Sequence, residues 1–114
     1  MKKLLLTGIF LILGAFVLSA QSLPSIRIVN NTGYTVYVVV ISPSENDEWG
    51  SDILGDEVLE NGAAVTYQLP QPLSEVNVYD IAMEDEDGDV YFKWEVTLTN
   101  NAQVVFTIED LEEF

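Results

Sequence analysis

The sequence has no cysteine and no histidine, and only four lysines and arginines stand against 19 aspartates and glutamates in 114 residues. Without cysteine there are no disulfides and no cysteine-borne lipid anchor, so stability rests on the core alone. The two absences together remove the usual thiol nucleophile and the usual general base, and no serine or lysine stands in a nucleophile motif. Zinc and copper sites built from thiolate or imidazole are excluded as well. The scarcity of positive charge gives a formal net charge of −15, which sets the surface against nucleic acid and anionic lipid. A glycosidase would need only two carboxylates, but a chain this short offers little depth for a cleft.

Long apolar runs are also scarce. One, from Leu4 to Leu18, follows the basic start Met1-Lys2-Lys3 and leads to Ala20. A basic start, an apolar stretch and a small residue make up a secretory signal peptide, and the run falls short of the ~20 residues that span a bilayer. We expect cleavage after Ala20, which leaves residues 21–114 as one exported domain, secreted or periplasmic, with no membrane insertion after cleavage. Loss of Lys2 and Lys3 leaves Arg27 and Lys93 against all 19 acids, a formal net charge of −17.

After Pro24 the apolar residues recur at a period of two and are rich in valine, isoleucine, tyrosine and threonine, the pattern of strands. The alternation predicts strands at Ile26–Asn30, Tyr34–Ser42, Ala63–Leu69, Glu75–Glu84, Val90–Leu98 and Gln103–Glu109, with no convincing helical stripe. The expected architecture is all-β, an antiparallel β-sandwich of about six to seven strands, immunoglobulin-like or a related Greek key. Asn30-Asn31-Thr32-Gly33-Tyr34 reads as a hairpin loop that pairs Ile28 with Val36 and Ile26 with Val38. Tyr34–Ile41 is apolar on both faces, which suits a central strand. Between Ser42 and Ala63 a long segment holds seven of the 19 acids. Trp49, Ile53 and Leu54 are expected to pin it to the domain, with Val58-Leu59 forming a brief edge strand.

The stretch MEDEDGDVYF, Met83 to Phe92, places five carboxylates and one glycine between apolar runs. A two-residue turn at Asp87-Gly88 sets Met83 against Phe92, Ile81 against Trp94, Tyr79 against Val96 and Asn77 against Leu98. That makes one face almost wholly apolar and predicts Trp94 in the core, while Asp80 and Glu95 oppose each other on the polar face. The spacing of Asp85, Asp87 and Asp89 imitates the start of an EF-hand loop, but the glycine falls at position 4 and Val96 stands where the bidentate glutamate belongs. A calcium site gathered from Asp85, Glu86, Asp87 and Asp89 is therefore the metal candidate, and an acidic, solvated hairpin tip is the alternative. Trp49, among acids on the long segment, is the candidate ligand contact.

Asn30 to Gly33, Ser42 to Ser44, Trp49-Gly50, Asp52 to Gly55, Gly62 and Tyr79 to Asp89 together form a pattern that resembles a family of small, uncharacterised exported bacterial β-domains. The resemblance covers most of the mature chain. It implies a single secreted β-domain and brings no activity with it. The leading expectation is a non-enzymatic binding or interaction module for an unknown protein or glycan. A calcium-dependent carbohydrate- or protein-binding domain comes second, and a small hydrolase or enzyme inhibitor third.

Overall fold

The computed structural model describes residues 23–112. The expected signal segment, residues 1–20, and the expected first mature residue, Gln21, lie outside the described residues. Seven strands appear: β1 (Ser25–Asn31), β2 (Val36–Pro43), β3 (Ala64–Gln68), β4 (Val78–Asp85), β5 (Val90–Thr97), β6 (Ala102–Thr107) and β7 (Leu111–Glu112). One 3-10 turn, Ile108–Asp110, separates β6 from β7. No described helix is long and apolar enough to cross a membrane.

The strands form two sheets, β3-β1-β6 and β2-β4-β5-β7. Between them lie Ile26 and Ile28 from β1, Val104 and Phe106 from β6, Val39 and Ile41 from β2, Tyr79, Ile81 and Met83 from β4, and Tyr91 from β5. The alternation read from the sequence thus does build a β-sandwich. Among the described strands, only the β4–β5 connection joins neighbours within a sheet, and the other five cross from one sheet to the other.

The first of those crossings corrects an expectation. β1 does not pair with β2: it runs antiparallel to β3 and parallel to β6, with Ile28 beside Val65 and Val104. The buried Asn30 side chain explains how a hairpin-like sequence makes a crossing instead. Its amide donates to the carbonyls of Tyr34 and Leu59, 2.8 Å each, and its oxygen accepts the N–H and hydroxyl of Thr32. A side chain therefore supplies the bonds that a hairpin ladder would have made.

β2 is an edge strand, although its apolar faces predicted a central one. The 50–59 segment covers the exposed edge. Asp52 accepts the Val39 N–H, Ile53 donates to the Val39 carbonyl, and Leu59 exchanges bonds with Val36. Leu54 and Leu59 are buried against the core as expected. The segment thus behaves partly as the missing neighbour.

Candidate functional site

The acidic hairpin tip is built around Asp85. Its backbone N–H donates to the Asp89 carbonyl and its own carbonyl accepts the Gly88 N–H. The loop is therefore Glu86-Asp87-Gly88, three residues, with Gly88 at φ +84°. Aspartate at the first position of a type I turn and glycine at the fourth suit this geometry, and the left-handed glycine leads into the following bulge. Asp85 is buried, at 3% exposure. One carboxylate oxygen accepts the N–H groups of Asp87 and Asp89, at 2.9 and 3.0 Å, and the other accepts the Tyr91 hydroxyl at 2.8 Å. Burial, then the bond to Asp85, pushes the Tyr91 phenol well above its ordinary range.

This loop length overturns the register expected near the tip. A three-residue loop places Met83 opposite Tyr91, Ala82 opposite Phe92 and Ile81 opposite Lys93. Tyr91 then points into the core, while Phe92 and Trp94 turn outward. The ladder slips again at a bulge between Tyr79 and Ile81, after which Tyr79 faces Val96 and Val78 faces Thr97 as the sequence predicted. Glu95 takes the extra position at φ +52°, and its N–H is caught by the Asp80 carboxylate at 2.8 Å. Asp80 and Glu95 are thus joined through the backbone and are not a simple opposed pair. Trp94 is 55% exposed, which corrects its assignment to the core.

Lys93, which faces inward beside Ile81, is tolerated because it stands at the border of the sandwich. Its amine lies 5.5 Å from the centre of the Phe106 ring and 3.2 Å from Asp110. The aliphatic stem covers apolar surface while the charge reaches an acid at the rim.

On the outward face of the larger sheet, three aromatic rings gather. Phe92 and Trp94 stack at 4.8 Å with 12° between their planes, and Trp49 lies 6.2 Å from Phe92 and 5.8 Å from Trp94. Trp49 remains 38% exposed. It reaches the cluster because Gly50 passes against β2, where a β-carbon would stand 2.8 Å from the Ile41 carbonyl oxygen. Trp49 was expected at the surface from the sequence, but its neighbours Phe92 and Trp94 were not, because the two-residue turn put them inside.

Among the metal candidates, carboxylate oxygens of Asp85, Asp87 and Asp89 come within 4.8 Å of one another, so this cluster could hold a metal ion. Glu86 is bound elsewhere, accepting the Thr35 N–H at 3.2 Å. A hollow of about 410 Å³ is lined by Ser44, Glu45, Glu75, Val76, Asn77, Val78 and Glu95. Its three glutamates are exposed, so none sits in the water-poor setting an acid catalyst needs. A groove of about 420 Å³ runs beside Phe92, Lys93, Trp94 and Val96 on one side and Gln103, Val104, Val105 and Asp110 on the other.

Fold and site together define a small β-sandwich with an aromatic outer face. Neither a family model nor a curated protein matches the sequence. The chain is similar to a protein from Eubacterium rectale solved by NMR, at 15% identity and a TM-score of 0.57, over 82% of this chain and 84% of that one. At that identity the likeness shows the fold alone.

Proposed function

We propose that the protein is a non-enzymatic binding module, secreted or periplasmic, whose contact surface is the cluster of Trp49, Phe92 and Trp94. The observation that carries this reading is the placement of two tryptophans and a phenylalanine in one cluster, both tryptophans against Phe92, on an outward face when the core is filled by other residues. Large aromatic rings left open to water present apolar area with little conformational entropy to lose, which suits the face of a sugar ring or an apolar side chain of a protein. The signal-like start and the resemblance to exported β-domains support the compartment. The acidic balance supports partners other than nucleic acid or anionic membrane.

The test is retention of the exported protein on a panel of insoluble glycans and envelope proteins, with circular dichroism to check the fold. Retention that vanishes in the Trp49→Ala, Trp94→Ala double variant while the fold persists supports the reading. Retention unchanged in that variant refutes it.

A second reading makes binding calcium-dependent, and the approach of Asp85, Asp87 and Asp89 favours it. Chemistry limits its strength. Calcium takes six to eight oxygen ligands, and Asp85 has already committed three of its roughly four acceptor positions. Water would have to supply much of the shell, so the expected affinity is low.

A further inference from the structure

Strand register fixes what surrounds the aromatic cluster on the outward face of the larger sheet. Val40, Ala82 and Phe92 form one row across β2, β4 and β5, and Val38, Glu84 and Val90 form the next. On the other side, Ser42 faces Asp80. Because Tyr79 faces Val96 and Ile81 faces Lys93, Asp80 lies opposite the bulged pair Trp94 and Glu95. Two carboxylates of β4 therefore bracket Phe92 and Trp94. Trp49, which lies against both rings, follows Asp47 and Glu48, and these acids are exposed.

No described cation offsets them. Arg27 belongs to the other sheet, and Lys93 turns inward to Asp110. Asp80 takes both of its bonds on Oδ1, from the Ser44 hydroxyl at 2.7 Å and the Glu95 N–H at 2.8 Å. Its Oδ2 has no protein donor among the described residues. Glu84 is exposed.

The face of an aromatic ring attracts cations, tryptophan most strongly, and carboxylates beside the ring add to that attraction. A neutral sugar would leave these acids unused, and a second copy of the chain would bring more acids to meet them. Among cations a guanidinium suits the site, because it is planar and weakly hydrated and can stack on a ring while donating to a carboxylate. The ring centres lie 4.8, 5.8 and 6.2 Å apart. A planar group inserted between two rings would need about 7 Å, twice the contact distance. The cation therefore lies on an outer ring face, and Trp94 is the more exposed tryptophan.

We propose that this face binds an arginine-bearing segment of a partner protein, with one guanidinium laid on Trp94 and donating to Oδ2 of Asp80. Residues opposite each other on a ladder are close enough for one group to touch both. Glu84, a diagonal step from Phe92, receives a second basic side chain. This deepens the binding-module reading by naming the partner's chemistry, and it rests on that reading.

The probe is hexa-arginine, titrated into the exported protein and followed by tryptophan fluorescence and the indole N–H resonances, with circular dichroism to check each variant. Saturable binding that moves the Trp94 indole is expected, with hexa-lysine roughly threefold or more weaker at equal charge. Trp94→Ala should weaken hexa-arginine binding by roughly fivefold or more. The Asp80→Asn, Glu84→Gln double variant keeps an acceptor at position 80, removes two charges, and should weaken binding by roughly threefold or more. Glu109→Gln with Glu112→Gln removes two charges elsewhere and should change it by less than about twofold. Equal losses in the two double variants, undiminished binding by Trp94→Ala, equal affinity for the two peptides, or no binding at millimolar peptide would overturn the proposal. Retention on neutral glycans that depends on Trp49 and Trp94, without a response to hexa-arginine, would overturn it while leaving the aromatic contact surface standing, so the two failures are distinguishable.

Discussion

Tyr91→Phe isolates the bond that holds the hairpin tip together. The substitution keeps the ring, which is fully buried, and removes the hydroxyl that donates to Asp85 at 2.8 Å. Asp85 keeps the Asp87 and Asp89 N–H donors on one oxygen, but the other loses its protein donor in a site of 3% exposure. Hydrogen bonds to charged groups are worth about 1.5–3 kcal/mol, and the vacated volume is small, so a loss of about 2 kcal/mol is expected. A domain of this size has a stability of roughly 5–13 kcal/mol, so the variant stays folded and the difference is measurable. Urea titration at pH 7 should show the midpoint falling by about 1 M. The pH dependence gives a second, independent reading. The Tyr91 pKa is raised in the folded state above its ordinary value of 10.0, so its contribution is complete below pH 10 and drains away as the pH climbs above it. Phenylalanine cannot ionise, so the gap between the two proteins should narrow on the alkaline side. Tyr79, whose phenol is also raised by burial and then by Tyr67, erodes both proteins alike. Equal midpoints at pH 7, or a gap that stays constant through the alkaline range, would refute the assignment of Tyr91 to Asp85.

Three further outcomes are expected. Trp94→Ala should cost less than about 2 kcal/mol, whereas Phe106→Ala, from the filled core, should cost about 3–5 kcal/mol in the same denaturant titration. Gly50→Ala brings a β-carbon to 2.8 Å from the Ile41 carbonyl oxygen, so it should destabilise by about 1–3 kcal/mol and shift the Trp49 fluorescence as the segment lifts from β2. With so few cations against 19 acids, thermal stability should rise with sodium chloride, and calcium at about 1 mM should add little beyond magnesium. A site of 10 μM affinity would instead add about 2.7 kcal/mol at a hundredfold excess.

Much of the architecture was legible because a half-buried sheet writes itself as alternation, and the β4–β5 hairpin was visible in its acids and glycine. Its register was not. Counting apolar residues favoured the two-residue turn, since the three-residue alternative sends a lysine inward beside Ile81. Only the structure shows that Lys93 stands at a border, with Phe106 beneath it and Asp110 within reach. The second slip rests on a glutamate in a left-handed conformation, which carries no sequence signal, although Asp80 across the ladder is what captures it. Two compensating shifts left Tyr79 and Val96 correctly placed and exchanged the faces of Phe92 and Trp94 between them. The aromatic cluster was hidden for that reason alone. Asn30-Asn31-Thr32-Gly33 misled differently: its local chemistry suits a hairpin, and the choice of a crossing was made by partners as distant as Leu59.

The dominance of crossings over hairpins bears on how fast the chain can fold. β1, the middle strand of its sheet, aligns Ile26 with Ala102, almost at the other end of the described chain. That sheet cannot close until β6 has arrived, and β6 comes after every strand of the opposing sheet except β7. Loop-closure entropy is spent before these distant pairings return any free energy, so folding should be slow for a domain of this size, on the milliseconds-to-seconds scale of non-local β-topologies. Among the described residues the β4–β5 hairpin is the one sheet pairing able to form locally, which makes it the natural place for a folding nucleus. On the proposed export of the chain the delay would have a use: the early strands find no early partner to lock onto, which would leave the polypeptide loose enough to be threaded through a membrane before it collapses.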